Sequence, residues 1–222
     1  MSYGLVISAP QSGSGKTIIT LGILRALKNR GIPISSAKSG PDYIDPGFHT
    51  FSSGSECYNL DAWAMGEERL RNIVSRKDNL IVEGAMGLFD GAPPNAKGST
   101  AHLAKLLNFP IVLIIDSSRT GQSISALAKG FLTYDKNLLI NGIILNNVGS
   151  ANHENILRHS LSQLDCPIIG SVYKSPELSI PSRHLGLVQA AENQNLNQFI
   201  NNAARIIENS VDLDLSLIHI SE

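Results

Sequence analysis

The 222-residue sequence predicts one three-layer α/β domain, in which a mostly parallel β-sheet lies between two layers of helices. Two observations predict this fold. Short apolar runs rich in β-branched residues alternate with segments of helical periodicity. Glycine- and aspartate-rich motifs follow directly after several of these runs, which is where parallel sheets bind their ligands. Hydrophobic residues make up 42% of the chain, so a sizeable core can form.

Six apolar runs are predicted to be strands because they are short and nearly continuous, as strands buried on both faces are. They are residues 3–8, 32–38, 79–84, 109–116, 139–147 and 166–172. The clearest helix begins at Lys16 and ends before Gly31, with apolar residues at helical spacing. Further helices are predicted at residues 65–77, 99–107 and 123–132, and a polar-faced helix rich in Asn and Gln at 191–210.

Charge and hydropathy exclude some classes of partner. The net charge is −1, so no basic surface for nucleic acid is predicted. The N-terminus has no charged segment followed by a long apolar run, and the first apolar run is too short to cross a bilayer. We therefore expect a cytoplasmic protein with no membrane partner. Cys57 and Cys166 lack metal-site spacing and are predicted to be reduced thiols.

The segment SAPQSGSGKTIIT, which starts at Ser8, has the pattern of a P-loop. Gly13 and Gly15 permit backbone conformations in which successive N–H groups face phosphate oxygens. Lys16 supplies a positive charge for the β- and γ-phosphates, and Thr17 supplies a hydroxyl for Mg²⁺. The pattern departs from the usual one at Pro10, where a glycine is expected. We expect ATP to be bound by Ser12, Gly13, Ser14, Gly15, Lys16 and Thr17.

The segment AKSGPDYIDPGFHT follows the second predicted strand and contains two carboxylates. Lys38 ends the strand and is placed to reach a phosphate or an anionic substrate. Asp42 and Asp45 are three residues apart, so both face one site if the loop coils, and carboxylates beside a polyphosphate hold Mg²⁺. The alternative is an Asp-rich turn whose side chains bind local backbone N–H groups. We favour metal and substrate binding.

The segment VEGAMGLFDG follows the third predicted strand. Glu83 ends an otherwise apolar run, which an ordinary turn does not explain. A carboxylate at the end of a strand beside the P-loop strand typically contacts Mg²⁺. Gly87 permits close approach of a ligand to the backbone, and Asp90 precedes Gly91 in the same segment.

Several motifs together resemble one family. In order, these are APQSGSGKT, KSGPDYIDPGFH, NLD, VEGAMGLFDG, GSTAHLAKLL, GIILNNVGS and SIPSRHLGLV. They resemble the ATP-binding half of the cobyrinate a,c-diamide synthases, glutamine-dependent amidotransferases of cobalamin biosynthesis that are related to dethiobiotin synthetase. The resemblance covers nearly all of residues 1–209 and departs at Ser39 and Ser182. It implies a dethiobiotin-synthetase-like P-loop NTPase fold.

The resemblance also implies a mechanism. MgATP phosphorylates the a and c acetate carboxylates of cobyrinate or hydrogenobyrinate, and ammonia displaces phosphate from each acyl phosphate. Lys16, Lys38, Asp42, Asp45 and Asp90 are the implied catalytic residues. Thr17, Asp45 and Glu83 are the implied Mg²⁺ ligands, and whether Asp42 or Asp45 touches the metal stays open. Asn146 resembles an adenine-binding asparagine. The implied substrate contacts are Tyr43, Asp45, Asn59, Asp61, Gly87, Arg183 and His184, with a purely structural role for His184 left open.

The resemblance sets the expected domain organisation. Residues 1–209 are the expected synthetase domain and residues 210–214 the start of a linker. The last eight residues, LSLIHISE (215–222), match the translation of a sequencing-library adapter, so we expect the C-terminal glutaminase domain to be missing. Neither Cys57 nor Cys166 lies in a nucleophile-like context, so ammonia is the expected nitrogen donor. The partner is a corrinoid tetrapyrrole, and a homodimer is left open.

Three alternatives compete with this interpretation. Amidation of nickel-sirohydrochlorin by a close relative uses nearly the same motifs. Dethiobiotin synthetase shares the P-loop and the strand-end lysine, but the aspartate loop from Gly40 to Asp45 argues against it. A partitioning-type ATPase switch is a different class, and it is expected to carry a lysine where Gln11 stands.

Overall fold

A computed structural model of the chain describes residues 4–77, 79–178 and 196–214. The strands are β1 (Gly4–Ser8), β2 (Ser35–Ser39), β3 (Cys57–Leu60), β4 (Leu80–Glu83), β5 (Ile111–Asp116), β6 (Ile140–Val148) and β7 (Ile168–Tyr173). The α-helices are α1 (Lys16–Asn29), α2 (Asp45–Ser53), α3 (Glu67–Val74), α4 (Thr100–Leu107), α5 (Ile124–Tyr134), α6 (Ala151–Leu161) and α7 (Leu196–Ser210).

The seven strands form one sheet in the order β3-β2-β4-β1-β5-β6-β7, and every strand pair among them is parallel. The P-loop strand β1 lies between β4 and β5. The chain leaves β1 toward β2 and β3 on one side of the sheet and later continues to β5, β6 and β7 on the other side. Connections thus leave the centre of the sheet in opposite directions beside β1, which is where ligands bind in open α/β sheets. The carboxyl ends of β1, β2 and β4 are brought together at this edge.

Helices cover both faces of the sheet, which confirms the predicted three layers. On β1, Leu5 and Ile7 pack in a cluster with α1 and α7, whereas Val6 packs in a second cluster with α3, α4, α5 and α6. All three side chains are almost fully buried. This alternation buries both faces of a nearly continuous apolar strand, as a parallel sheet requires.

Helices α1, α2 and α7 are joined by a buried arginine. Arg25 of α1 donates hydrogen bonds to the carbonyl oxygens of Phe51 and Ser52 at the end of α2. It also donates to the side chains of Asn197 and Asn201 of α7, at 3.1 Å each. The residue is 8% exposed. The exposed Asn197 and Asn201 on the polar face of α7 therefore bind the buried Arg25.

Packing continues beyond α7. Val211 and Leu213 are buried in the cluster on the α1 side, and the Asp212 N–H group donates to the Ile169 carbonyl. The residues that follow α7 therefore pack against the sheet through Leu213. Within the described ranges, no helix is both long and apolar enough to cross a bilayer.

The six predicted strands are all present, but the seventh strand β3 and the helices α2 and α6 were not predicted. β3 has only four residues, with the sequence CYNL, so it lacks a long apolar run. α2 has the sequence DPGFHTFSS, in which proline and glycine indicate a loop. Proline is tolerated here because it lies in the first turn, where its missing N–H group has no helical acceptor.

Candidate active site

A cavity of about 450 Å³ lies at the carboxyl ends of the central strands. Its walls are formed by the P-loop, by the residues that end β2 and β4, and by the end of β6. They comprise Ser12, Gly13, Gly15, Lys16, Thr17, Ile18, Lys38, Glu83, Gly84, Met86, Asn146, Asn147 and Leu178. Predicted nucleotide-binding, metal and phosphoryl-transfer residues thus line one cavity at the sheet edge where ligands are expected.

The P-loop has the backbone conformation that its glycines permit. Gly13 and Gly15 have φ angles of 78° and 93°, in the left-handed region. Gly15 precedes the first residue of α1, so the free N–H groups and positive dipole end of that helix border the cavity. The Ser14 hydroxyl donates to the Gln11 carbonyl oxygen at 3.0 Å, which closes the loop. This is an anion-binding turn.

The ammonium group of Lys16 is held between two loops. It donates to the carbonyl oxygens of Met86 at 2.6 Å and Gln11 at 3.2 Å. Burial lowers the pKa of Lys16, although Glu83 opposes this effect. Met86 has a φ angle of 53°, which is strained for a non-glycine residue. Such strain is concentrated at functional sites, and here it directs the Met86 carbonyl to the P-loop lysine.

Lys38 forms a buried ion pair with two carboxylates. Its Nζ lies 2.7 Å from Oε1 of Glu83 and 2.6 Å from Oδ2 of Asp45. Burial alone would lower the pKa of Lys38, but the two carboxylates raise it above its usual range. Burial raises the pKa of Asp45, with a further contribution from the charge of Glu83. The lysine is therefore a permanent cation at the end of β2.

Glu83 accepts hydrogen bonds at both carboxylate oxygens. The Thr17 hydroxyl donates to Oε1 at 2.7 Å, and Nε2 of His49 lies 2.7 Å from Oε2. The residue has no exposed surface. Burial opposes ionisation, but His49 and Lys38 hold the pKa of Glu83 well below its usual range. Sequence reasoning missed His49, although its position four residues after Asp45 places both on one face of a helix.

The donor atoms here fit a magnesium ion. Glu83 Oε1 lies 2.7 Å from both Thr17 Oγ1 and the Lys38 ammonium group, and Asp45 Oδ2 lies 2.6 Å from the same ammonium group. All three oxygens are hard donors of the kind that Mg²⁺ prefers. Among the described residues, no group of three or more His, Cys, Asp and Glu side chains has the arrangement of a metal site. Mg²⁺ suits such a sparse set because it keeps several waters and binds substrate phosphates.

The two aspartates of the loop after β2 have different surroundings. Asp45 begins α2 and faces Lys38, whereas Asp42 Oδ1 accepts from the backbone N–H groups of Ile44 and Asp45. Asn59 donates to the Asp42 carbonyl oxygen and so fixes this loop to β3. Asp42 therefore binds local backbone N–H groups, which is the alternative that the sequence left open for this loop. Tyr43 is 98% exposed beside it.

The remaining predicted substrate-binding and catalytic residues among the described ones lie in the loops that follow β3 and β4. Asp61 accepts from the backbone N–H groups of Trp63 and Ala64, so it shapes the turn after β3. Asp90 accepts from the Gly87 N–H group at 2.8 Å. A Cβ atom at Gly87 would lie 2.4 Å from the Pro10 carbonyl oxygen, so this glycine allows the loop after β4 to contact the P-loop. Arg183 and His184 lie outside the described residues.

Asn146 supports the P-loop from the end of β6. Its amide donates to the Ser14 carbonyl oxygen at 2.9 Å, and the residue is 4% exposed. The next residue, Asn147, also lines the cavity and donates to Asp116. Asp116 ends β5 and accepts hydrogen bonds from the side chain of Asn147 and from the Ser118 N–H group, so its partners differ from those of Glu83.

The fold and this site together define a P-loop nucleotide-binding protein. A family model described as "CobQ/CobB/MinD/ParA nucleotide binding domain" matches residues 5–188. The chain belongs to this family.

Curated relatives carry a more specific name. Proteins of Brucella ovis and Mesorhizobium japonicum, each named hydrogenobyrinate a,c-diamide synthase, are 50% and 45% identical to this chain over 216 residues. The alignments cover 95% of this chain and 49% of each relative. The chain therefore spans about half the length of the curated relatives it matches.

Solved structures with the same fold include two proteins named FtsY. Chloroplast FtsY from Physcomitrella patens has a TM-score of 0.59 at 15% identity, covering 91% of this chain and 65% of that chain. FtsY from Elizabethkingia anophelis has a TM-score of 0.57 at 14% identity, covering 92% of this chain and 66% of that one. At this identity the likeness concerns the fold alone.

Proposed function

We propose that this chain performs the ATP-dependent step in the amidation of the a and c acetate carboxylates of hydrogenobyrinate or cobyrinate. One observation carries the proposal. Two cations and three oxygen donors converge at the end of the P-loop strand, namely Lys16, Lys38, Thr17, Asp45 and Glu83. They do so in a chain whose sequence is 50% identical to a protein named hydrogenobyrinate a,c-diamide synthase. Together they provide cations and oxygen donors for transfer of a phosphoryl group.

The proposed reaction has two steps at each acetate. A carboxylate oxygen attacks the γ-phosphorus of ATP, which breaks the bond to the leaving ADP and forms an acyl phosphate. Ammonia then attacks the acyl carbon, and the carbon–oxygen bond to phosphate breaks. The amide and inorganic phosphate are the products, and the nitrogen loses one proton to give the neutral amide. The protein must position the reactants and stabilise the transferring charge.

The residues of the cavity have complementary roles in this proposal. The P-loop N–H groups and Lys16 bind the phosphates, and Lys38 faces the transferring phosphoryl group. Thr17, Glu83 and Asp45 would hold Mg²⁺. When bound, this ion neutralises phosphate charge. Asp90 orders the loop beside the P-loop through its bond to Gly87. We propose that Asn146 acts through the P-loop conformation in addition to its predicted contact with adenine.

Three exposed hydrophobic side chains support a large, flat substrate. Tyr43, Trp63 and Met86 are 98%, 62% and 53% exposed. They follow β2, β3 and β4 respectively, so they lie on loops at the carboxyl edge of the sheet. Exposed aromatic residues at a ligand-binding edge are suited to stacking on a macrocycle. We propose that they contact the tetrapyrrole together with Asn59, Asp61 and the predicted residues Arg183 and His184.

The nitrogen donor and the domain organisation belong to the same proposal. The chain corresponds to about half of its curated relatives, which supports a synthetase domain that normally works with a glutaminase domain. Cys57 and Cys166 are both buried, so neither has the exposure of a nucleophile. We propose that free ammonia serves as nitrogen donor for this chain, in the cytoplasm, and that a homodimer remains compatible with the site.

The proposal is tested by incubating the purified chain with MgATP, ammonium and hydrogenobyrinate, and following product mass. Stepwise conversion of two carboxylates to amides, with one ADP released for each, is expected. Nickel-sirohydrochlorin serves as a parallel substrate with ammonium, and the dethiobiotin precursor serves as another with dissolved CO₂ in place of ammonium. A chain that binds MgATP and converts only one of the three compounds would have that compound as its substrate. ATP hydrolysis without conversion of any of the three would favour an ATPase switch.

A further inference from the structure

Helix α2 presents two functional side chains on one face. Asp45 is its first residue and His49 lies four residues later, so both point toward the carboxyl ends of β2 and β4. Asp45 contacts Lys38 at 2.6 Å, and Nε2 of His49 lies 2.7 Å from Oε2 of Glu83. His49 and Glu83 are both fully buried. The helix therefore reaches the site through both residues.

The chemistry of the pair defines the hydrogen-bond direction. An ionised carboxylate can only accept, so Nε2 of His49 carries the hydrogen and donates it to Oε2. Thr17 and Lys38 both donate hydrogen bonds to the other oxygen, Oε1. The two oxygens of Glu83 are thus divided between two sets of donors. Among the described residues, His49 is the hydrogen-bond donor to Oε2.

We propose that His49 is a positioning residue that fixes the Glu83 carboxylate, so that Oε1 stays directed at Thr17 and at the Mg²⁺ ion of the proposed function. The inference rests on that function for the identity of the ion. A histidine that donates to one oxygen of a ligating carboxylate restricts its rotation and raises the affinity of the site for metal. The imidazole itself does not touch the substrate.

The surroundings of His49 argue for this role over simple packing. Among the described residues, the buried Nδ1 makes no hydrogen bond of good geometry, although burial is opposed by both the Cys57 thiol and Glu83 in setting the pKa of the imidazole. The contact with Glu83 is therefore the one well-formed hydrogen bond of the ring within this part of the chain. A polar ring in an apolar position costs free energy that a phenylalanine would avoid. The cost is offset where the carboxylate beside it needs a donor that Thr17 and Lys38 do not supply.

The test compares His49→Phe with His49→Gln. Phenylalanine fills the ring volume without a donor, and glutamine returns an N–H donor at the reach of Nε2. Calorimetry would measure ADP affinity in Mg²⁺ and, separately, in excess chelator. We expect H49F to weaken the Mg²⁺-dependent part of ADP affinity about 10–100-fold. Affinity in chelator should stay near that of the wild type, and H49Q should recover most of the loss.

A matched control uses another hydrogen-bonded histidine. Nε2 of His153, on α6, lies 2.8 Å from the Thr120 carbonyl oxygen. His153 does not line the nucleotide cavity. His153→Phe should leave both ADP affinities unchanged. Thermal unfolding would verify that each variant is folded. Should H49F not fold, His49→Asn serves instead, because its shorter amide does not reach Oε2.

Three results would overturn the inference. Equal loss of ADP affinity with and without Mg²⁺ would give His49 a purely structural role. Wild-type Mg²⁺ dependence in folded H49F, or no Mg²⁺ dependence in the wild type, would remove its link to the metal. These readouts do not use amidation. A wild-type chain that fails to amidate but shows the expected ADP pattern would refute the proposed function and leave the role of His49 standing.

Discussion

Lys38 and Glu83 are directly paired residues on the neighbouring parallel strands β2 and β4, and their side chains meet in a 2.7 Å ion pair. The pair is closed to solvent, with side-chain exposures of 5% and 0%. Residues in register on adjacent strands project to the same side of a sheet, so the backbone itself holds these charges together. The register therefore places a cation and a carboxylate beside the P-loop before any ligand binds.

Replacing Glu83 with glutamine should remove a proposed metal ligand and leave Lys38 and His49 with one fewer negative charge. We expect the rate of ammonium-dependent amidation to fall by about 10²–10³. The control is Asp116→Asn, a second strand-end acid whose contacts are Asn147 and Ser118, and it should keep most of the activity. Equal losses in the two variants, both folded, would refute the assignment of Glu83.

Replacing Gly15 with alanine should disrupt nucleotide binding. Its φ angle is 93°, and the added Cβ atom would lie 2.1 Å from Nδ2 of Asn146. We expect ATP affinity to fall at least about tenfold, because the P-loop must shift away from Asn146. Gly31→Ala is the control, since its φ angle is 74° but no atom lies within 4 Å of the new Cβ. It should lose stability and keep ATP affinity, as measured by urea unfolding and calorimetry.

Arg25 should contribute strongly to stability because it joins three helices. In Arg25→Met, carbonyl oxygens at the end of α2 and side chains of α7 lose their donor, and we expect a loss of about 2–3 kcal/mol in the free energy of unfolding. Arg71→Met removes an exposed ion pair with Glu67 on α3, and about 0.5 kcal/mol or less is expected. Urea denaturation measures both. If Arg25→Met lowers the free energy of unfolding no more than Arg71→Met does, Arg25 does not stabilise the packing of α1, α2 and α7 as proposed.

Cys166 should be chemically inert at neutral pH. Burial, with a smaller contribution from the charge of Asp165, raises the pKa of its thiol to about 11. Only the thiolate reacts, so alkylation of Cys166 in the folded chain should be slow at pH 7 and should rise about tenfold per pH unit toward pH 11. Peptide mapping after timed iodoacetamide treatment measures this rate. Fast modification at pH 7 would contradict the burial of this thiol.

Much of the site could be predicted because each motif follows a strand. Lys16, Thr17 and Glu83 were assigned to one site from their positions alone, and in the structure the Thr17 hydroxyl donates to Glu83. Strand ends of a parallel sheet converge by topology, so no knowledge of side-chain contacts was needed. The same logic placed Lys38 at this edge.

The loop after β2 could not be resolved from sequence because local turn chemistry and metal binding use the same residue type. The structure shows Asp42 bonded to backbone N–H groups and Asp45 bonded to Lys38. That difference depends on where α2 begins. Because Pro46 and Gly47 lower helical propensity, the helix was predicted as a loop, and His49 was therefore missed. The short strand β3 was missed because pairing with β2, rather than its own composition, stabilises it.

The central claim is that this chain activates a carboxylate as an acyl phosphate, and an oxygen isotope label tests it directly. Hydrogenobyrinate with labelled carboxylate oxygens would be incubated with the chain, MgATP and ammonium, and the released inorganic phosphate would be analysed by mass spectrometry. The account predicts one labelled oxygen in phosphate for each amide formed, because the bridging oxygen leaves with phosphorus. Unlabelled phosphate accompanying amide formation would contradict the acyl phosphate and with it the proposed function.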